Sequence, residues 1–306
     1  MLRSLVFKRA QSSLIVNPLE VANAHIIRES SSRFAKPAVV SFDGFGTLWI
    51  PRTPVPEQYQ KVASSLGVDL DTATIESRFK SAYSDLQKQY PIYGKGQLKS
   101  SDAWWKLLVN QVFQLKDEKK ADELSTALIQ HFLNDDAYKL YDDVIPCLDA
   151  LHEAGVPLVL SSNTDPNVYT LLHNLGLEKY FGDNVFISYE LGVAKPDRRF
   201  FTHVAKTKYG AGKSFNYDFL ENCWHVGDSF EVDFVGSVKS GWNGVLLDRH
   251  RTSEFFVAKD NIKVAQDGCF MSPTGEQDNP DMLVVANNRI VIGGLDQIPP
   301  LFGIQE

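Results

Sequence analysis

Short apolar runs alternate with amphipathic stretches over much of this chain. The runs are rich in β-branched residues, as is typical of buried strands, and cover residues 39–42, 156–161, 185–188, 223–226, 245–247 and 289–292. Helical patterns lie between them at 144–154, from Pro166 to 175, through Phe200 and Val204, and at 232–240. Strands that alternate with helices in this way predict an α/β fold with a doubly wound parallel sheet.

Residues 51–140 have a different pattern, with apolar positions at helical spacing and no run that resembles a strand. A stretch of this kind predicts a compact, all-helical insert whose members bury their apolar faces on one another. Four helices are expected: Glu57–Leu66 ending at Gly67, Thr72–Tyr90 capped by Asp71, a third capped by Ser101 or Asp102, and a fourth opened by Asp117.

Composition and charge exclude several classes of partner. The apolar fraction of 43% and charged fraction of 23% are typical of a globular protein. A net charge of −7 without a basic stripe argues against a nucleic-acid surface, and no apolar run reaches the ~18 residues of a membrane span. The scattered cysteines Cys147, Cys223 and Cys269 predict buried reduced thiols and no disulfide framework or zinc site.

Two segments are expected to stand apart from the folded core. Residues 1–36 carry Arg3, Lys8 and Arg9 and no acidic residue before Glu20, which is the signature of a mitochondrial transit peptide. The alternative is a disordered basic tail before a cytoplasmic or nuclear protein. Residues 249–280 are polar and punctuated by glycine and proline, and we interpret them as an insertion within the core.

Polar side chains follow four of the predicted strands. Asp43, Ser162 with Asn163, Lys195, and Asp228 with Asp233 come in this order along the chain. Each residue alone has an ordinary explanation as a turn, cap or surface residue. Because the carboxyl ends of parallel strands meet at one edge of a sheet, the recurrence predicts a shared site there.

These residue types suit displacement by a carboxylate. An aspartate can attack phosphorus or an activated carbon and form a covalent intermediate, and a nearby lysine offsets the charge of nucleophile and substrate. Hydroxyl groups and backbone N–H groups complete an anion site. Two further carboxylates, Asp228 and Asp233, can hold Mg²⁺, which prefers oxygen ligands and keeps several waters.

The segments VVSFDGFGTL, LVLSSN, VAKPD and HVGDSFEVD make the chain similar to the haloacid dehalogenase-like hydrolase superfamily, from about residue 37 to the C-terminus. The resemblance implies a Rossmannoid core, 37–50 and 141–306, with an inserted α-helical cap, 51–140. It implies that Asp43 is the nucleophile and Lys195 the charge-stabilising residue. Phosphate would be bound by Thr47, Ser162, Asn163 and Lys195, and Mg²⁺ by Asp43, Asp228, Asp233 and the backbone carbonyl of Phe45.

Phe45 departs from the phosphatase pattern of the superfamily. Phosphatases usually carry a second aspartate at this position, which protonates the leaving oxygen and later activates water. The haloacid dehalogenases carry an aromatic residue in this turn, and a halide leaves without a proton, but they work without metal. Asp165 is a conceivable substitute acid, although a cap or turn role is favoured for it.

The sequence therefore predicts a Mg²⁺-dependent phosphatase that acts on a small phosphorylated metabolite through an aspartyl intermediate. Two alternatives stay open. One is metal-independent hydrolysis of a carbon–halogen or related bond, and the other is a weakly active or inactive ligand-binding protein. Neither the substrate nor the oligomeric state follows from the sequence.

Overall fold

The computed structural model describes residues 34–210, 217–253, 255, 282–286 and 289–304. The predicted targeting segment 1–36 therefore lies almost wholly outside the described residues, as does most of the predicted insertion 249–280. Both stay predictions. Within the described ranges, no helix is both long enough and apolar enough to cross a membrane.

Seven strands form one sheet in the order β5-β4-β1-β6-β7-β9-β8. The pairs β1/β6, β4/β5, β6/β7 and β7/β9 are parallel, and β8 adds to β9 antiparallel. The order reverses beside β1, which confirms the predicted doubly wound α/β class. The strands are β1 Val39–Phe42, β2 Trp49–Pro51, β3 Tyr138–Leu140, β4 Leu158–Ser162, β5 Val185–Ile187, β6 Cys223–Gly227, β7 Asn243–Leu247, β8 Met282–Ala286 and β9 Arg289–Ile292.

Helices connect these strands, and the longer ones bury apolar positions at helical spacing. They are α1 Val55–Ser65, α2 Thr72–Gln89, α3 Ser101–Phe113, α4 Glu118–His131, α5 Val144–Glu153, α6 Asn167–Asn174, α7 Glu178–Phe181, α8 Ser188–Leu191, α9 Arg198–Tyr209, α10 Tyr217–Leu220, α11 Gly236–Lys239 and α12 Ile298–Leu301. A left-handed turn covers Pro91–Gly94, a π-helical turn Phe230–Val235, and a 3₁₀ turn Leu295–Gln297.

The chain divides into two compact units. One comprises residues 1–47, 142–159 and 195–306, and the other residues 48–141 and 160–194. In the second unit, helices α1 to α4 share an apolar core that includes Tyr59, Ile75, Trp104, Leu108 and Leu124. The expectation that these helices bury their faces on one another agrees with this core, while the cap boundaries 51 and 140 stay a prediction.

Helix starts follow the expected capping chemistry with one correction. Asp71 accepts a hydrogen bond from the Thr74 N–H group at 2.8 Å, and Asp117 caps α4. The third helix begins one residue earlier than predicted, because Ser100, and not Ser101 or Asp102, caps it through the Ala103 N–H group.

Two features of the fold depart from the predicted elements. Strands β2 and β3 pair antiparallel, Ile50 with Lys139, where no strand was predicted, because three residues are too few to show a period. The predicted helix 232–240 is a π-helical turn followed by the short helix α11. π-helical turns are frequent at functional sites, and this one carries Asp233.

Candidate active site

Strands β1 and β6 bring two acidic residues to one edge of the sheet. The strands are parallel neighbours with Phe42 paired to Val226, so Asp43 follows the end of β1 and Asp228 the end of β6. The Asp43 N–H group donates to the Val226 carbonyl at 2.8 Å, which fixes the start of the turn against β6. Adjacent strand ends at the reversal of strand order are where α/β sheets bind ligands.

Three carboxylates meet at this edge. Asp43, Asp228 and Asp233 each present one oxygen, and these oxygens all lie within 4.8 Å of one another. Asp43 and Asp233 are buried, whereas Asp228 is exposed. The structure therefore groups the nucleophile and metal-ligand candidates that the sequence analysis named.

Lys195 joins two of the carboxylates. Its Nζ donates to Asp43 Oδ1 at 2.8 Å and to Asp233 Oδ1 at 2.6 Å, and the residue is 3% exposed. Burial acts against the charge of Lys195, but Asp233 and Asp43 outweigh burial and raise its pKa. A fixed ammonium group between two carboxylates is suited to offset the charge on a nucleophile.

The π-helical turn fixes the direction of Asp233. The Asp233 and Phe234 N–H groups both donate to the Ser229 carbonyl, at 3.0 and 3.2 Å. The Ser229 N–H group in turn donates to Asp233 Oδ2 at 3.1 Å. The Asp233 carboxylate is thus bonded on both oxygens and is 1% exposed.

Two glycines leave room for these carboxylates. A Cβ at Gly46 would lie 2.4 Å from Asp228 Oδ2, and a Cβ at Gly227 would lie 2.3 Å from Asp233 Cγ. Gly46 also has φ +84°, in the left-handed region that other residues rarely adopt. Backbone at both positions therefore borders the acidic cluster directly.

Thr47 connects the turn after β1 to the end of β6. Its Oγ1 accepts a hydrogen bond from the Asp228 N–H group at 3.1 Å, and the residue is fully buried. Arg249 holds the same residue from the other side, because Nη2 donates to the Thr47 carbonyl at 3.0 Å while the guanidinium pairs with Asp143. The predicted role of Thr47 in binding phosphate stays a prediction.

His225 lies behind the cluster, inside β6, and is fully buried. Its Nε2 is 3.0 Å from Asp233 Oδ1, and its Nδ1 is 3.0 Å from Ser41 Oγ. Burial, reinforced by the Lys195 charge, lowers the pKa of His225 to about 4, so the ring is neutral at pH 7. The sequence pattern favours a packed strand residue, and not a base, at His225, since its contact with Asp233 depends on strand register and on the π-helical turn.

Burial and neighbouring charges shift the pKa values of the three carboxylates in different directions. Burial raises the pKa of Asp43; the Lys195 charge opposes this rise and the Asp233 charge adds to it. Burial also acts on Asp233, but Lys195 and the His225 hydrogen bond outweigh it and lower the pKa. Partial desolvation and the Asp233 charge raise the pKa of Asp228.

The cluster fits a divalent cation. Three carboxylates meet beside one ammonium group, and their mutual repulsion contributes to the raised pKa values of Asp43 and Asp228. A bound divalent cation would offset this repulsion. The donor set consists of oxygen atoms, as Mg²⁺ prefers. The close approach of Gly46 and Gly227 keeps side-chain atoms out of the space around Asp228 and Asp233.

Ser162 and Asn163 lie at the end of β4, in the second compact unit. Ser162 is buried and pairs with Ile187 of β5, and the Asn163 carbonyl accepts a hydrogen bond from the Tyr93 hydroxyl at 3.0 Å. Their role in binding phosphate stays a prediction. The structure groups Asp43, Lys195, Asp228 and Asp233 directly.

Asp165 has the bonds of a turn residue. It is 2% exposed, its Oδ1 accepts the Asn167 N–H group at 2.8 Å, and its Oδ2 accepts Trp105 Nε1 at 2.6 Å. Burial raises its pKa although both hydrogen bonds act in the opposite direction. Both oxygens are engaged, which favours the turn role over that of a proton donor.

The haloacid dehalogenase-like hydrolase family matches residues 37–236, well over half of the 306 residues. The chain belongs to this family. An uncharacterized protein of Saccharomyces cerevisiae is 30% identical over 88% of this chain and 94% of its own length. The human haloacid dehalogenase-like hydrolase domain-containing protein 3 is 26% identical over 68% of this chain and 81% of its own length.

Solved structures of haloacid dehalogenase-like proteins share the fold. A Bacillus subtilis hydrolase bound to magnesium matches 88% of this chain and 100% of its own, with a TM-score of 0.55 at 14% identity. The L-2-haloacid dehalogenase of Xanthobacter autotrophicus matches 89% and 100%, with a TM-score of 0.53 at 17% identity. Family membership and fold, both predicted from the four motifs, are confirmed.

Proposed function

We propose that this protein is a Mg²⁺-dependent phosphatase that acts on small phosphorylated metabolites through an aspartyl-phosphate on Asp43. The observation that carries the proposal is the cluster of Asp43, Asp228 and Asp233, in which Lys195 pairs with Asp43 and Asp233. Displacement of halide by a carboxylate would need one of these carboxylates, whereas a Mg²⁺ site would use all three. Among the solved structures of this fold, one hydrolase is described as bound to magnesium and another, from Thermococcus onnurineus, as a phosphatase.

Asp43 is the nucleophile in this proposal. Lys195 binds Oδ1, and within the described residues no hydrogen bond occupies Oδ2. In the proposed reaction Oδ2 forms a bond to phosphorus, the ester P–O bond breaks, and the electron pair leaves on the ester oxygen. Water then hydrolyses the aspartyl-phosphate and regenerates the Asp43 carboxylate with release of inorganic phosphate.

Mg²⁺ and Lys195 would both offset negative charge in this reaction. Asp43, Asp228, Asp233 and the Phe45 carbonyl would hold Mg²⁺, which supplies charge neutralisation at the phosphoryl oxygens. Lys195 holds the Asp43 carboxylate in one orientation by its 2.8 Å hydrogen bond. Lys195 also offsets negative charge that the phosphoryl group brings to the buried nucleophile.

The test is hydrolysis of 4-nitrophenyl phosphate with and without Mg²⁺. We expect turnover that depends on Mg²⁺, is abolished by chelation, and falls by about 10³-fold or more in Asp43→Asn, which cannot act as a nucleophile. Asp85→Asn is the matched control, because Asp85 is exposed and, among the described residues, its ion pair is with Lys88 at 3.9 Å. Turnover that survives in Asp43→Asn would exclude this residue as the nucleophile.

Phe45 favours a second function, metal-independent hydrolysis of a carbon–halogen bond. Halide needs no proton on leaving, so an aromatic residue at this position costs nothing in that reaction, and several proteins of this fold are described as dehalogenases. The same purified protein should be incubated with a 2-halo acid and a chelator. Halide release that is lost in Asp43→Asn and unaffected by the chelator would replace the phosphatase proposal.

A further inference from the structure

We propose that His225 is a positioning residue of this site, which with Ser41 holds Asp233 and, through Asp233, fixes Lys195 against the nucleophile Asp43. The proposal rests on a continuous buried chain of hydrogen bonds. Ser41 and His225 are joined at 3.0 Å, His225 and Asp233 at 3.0 Å, Asp233 and Lys195 at 2.6 Å, and Lys195 and Asp43 at 2.8 Å.

The hydrogen-bond chemistry sets the direction of this chain. An ionised carboxylate only accepts, so the proton between His225 and Asp233 belongs to Nε2. In a neutral imidazole Nδ1 is then an acceptor, and the Ser41 hydroxyl is its donor. Ser41 thereby selects the tautomer that can donate to Asp233.

Strand register makes the arrangement possible. Ser41 of β1 pairs with His225 of β6, so their side chains lie side by side on one face of the sheet. The ring also packs edge-on against Phe201, with centroids 5.1 Å apart. Burying the two ring nitrogens of His225 costs free energy of desolvation that an apolar residue at this fully buried position would not cost. The two hydrogen bonds of the ring offset this cost.

Asp233 depends on this donor because its oxygens are shared. Oδ1 accepts from both Lys195 and His225, and Oδ2 accepts from the Ser229 N–H group. Without the imidazole, one side of Oδ1 has no donor and the carboxylate can rotate about its terminal torsion. The Lys195 ammonium group, which has three donors and no fixed plane, would follow it and weaken its contact with Asp43.

The first experiment reads the tautomer directly and needs no turnover. Ring ¹⁵N–¹H correlation spectra, with the His225 signals assigned by their disappearance in His225→Gln, should show a protonated Nε2 and an unprotonated Nδ1 from pH 6 to pH 8. Ser41→Ala should shift the Nδ1 resonance or mix the two tautomers. A protonated Nδ1 in the wild-type protein would overturn the proposal.

The second experiment compares a variant that keeps the donor with one that removes it. His225→Gln keeps an N–H donor, whereas His225→Leu keeps only the bulk, and Val245→Ala is the packing control in the neighbouring strand. We expect His225→Leu to lose about 10- to 100-fold in Mg²⁺ affinity, measured from the Mg²⁺-induced rise in melting temperature, and a similar factor in kcat. His225→Gln should recover most of both losses, and Val245→Ala should lower the melting temperature without changing Mg²⁺ affinity.

The kinetic arm of this test rests on the proposed function, but the spectra and the melting curves do not. A His225→Leu variant that binds Mg²⁺ and turns over like wild type would refute the positioning role. Absence of phosphatase turnover in the wild-type protein, combined with the expected tautomer and a His225-dependent Mg²⁺ response, would refute the proposed function alone. If Mg²⁺ stabilises neither protein, the tautomer and its dependence on Ser41 decide the matter.

Discussion

At the residue scale, Phe45 leaves the acidic cluster intact but supplies no proton donor for a leaving group. The side chain is 53% exposed and stands two residues after Asp43, while the acidic cluster itself is complete without it. A phenyl ring cannot donate a proton to a departing alkoxide. The rate should therefore depend strongly on how well the leaving oxygen tolerates negative charge.

Phe45→Asp tests this dependence. We expect it to raise kcat about 10²–10⁴-fold for an alkyl phosphate and much less for 4-nitrophenyl phosphate, whose leaving group needs no proton. Steady-state assays of both esters on both proteins give the comparison. Phe45→Asn, which has the shape of aspartate but no carboxyl group, is the control, and equal gains for the two esters would contradict the explanation.

The glycines beside the cluster give a second residue-scale prediction. Gly227→Ala should destabilise the protein by about 1–3 kcal/mol and remove activity, since its Cβ would fall 2.3 Å from Asp233 Cγ in a packed site. Gly176→Ala is the control for replacing a glycine without a steric conflict, with φ +70° and no heavy atom within 4 Å of the added Cβ. It should cost roughly 1 kcal/mol and leave activity unchanged. Urea unfolding and phosphatase assays separate the two outcomes.

At the element scale, the loop after β4 is fastened at each of three successive residues. The Asn163 carbonyl accepts the Tyr93 hydroxyl, and the Thr164 carbonyl accepts the Tyr189 N–H and Ser188 hydroxyl groups at 3.2 and 3.1 Å. Asp165 binds Trp105 and its own turn. Such a loop has little freedom left, which would suit the predicted role of Ser162 in binding phosphate.

The left-handed turn Pro91–Gly94, which contacts the loop after β4, also has an unusual backbone conformation. Ile92 and Tyr93 have φ of +52° and +53°, which non-glycine residues adopt at a cost of about 1–2 kcal/mol each. A β-branched residue in this region persists only where the surroundings determine it. The turn places the Tyr93 ring against Trp104 and Trp105 and its hydroxyl on Asn163.

Asp165, in the loop after β4, should make the stability of the protein depend on pH. Burial raises its pKa above the ordinary value of 3.8, so the folded state binds the proton more tightly than the unfolded state. Its contribution is fully present below about pH 3.8 and is lost as pH rises through the folded pKa. Melting temperatures from pH 3 upward should therefore show a more negative slope in wild type than in Asp165→Asn.

The same comparison with Asp85→Asn controls for a change in surface charge. Asp85 is exposed, and its replacement should leave the slope as in wild type. Parallel curves for wild type and Asp165→Asn would show that the pKa of Asp165 is the same in the folded and unfolded states.

At the scale of the whole molecule, the sequence predicts the fold and the charged site for a physical reason. Strand ends and helix caps are local signals, so short patterns predict that Asp43 and Asp228 follow the ends of strands. The contact of His225 with Asp233 depends on the pairing of two strands distant in sequence and on a π-helical turn, neither of which leaves a local pattern. Strands β2 and β3 escape prediction because three residues are too few to show a period.

The charge of the site gives the last prediction at this scale. The carboxylates of Asp43, Asp228 and Asp233 repel one another, and a net charge of −7 over the molecule does nothing to relieve them. Asp228→Asn removes one of these charges and keeps the backbone N–H that binds Thr47. In a chelator, the variant should therefore melt higher than wild type, by roughly 1–3 °C.

In saturating Mg²⁺ the order should reverse. A ligand that binds only the folded state adds stability that grows with its concentration over its Kd, about 2.7 kcal/mol at 100 times Kd. Wild type should gain this increment, and Asp228→Asn should gain less because its neutral amide oxygen is a weaker ligand for Mg²⁺ than a carboxylate. Melting curves of both proteins in chelator and in Mg²⁺, matched with NaCl for ionic strength, measure the crossing. A carboxylate in a metal site destabilises the empty protein by repulsion and stabilises the metal-bound protein by coordination. If Mg²⁺ raises the melting temperature of both proteins equally, Asp228 does not bind the ion.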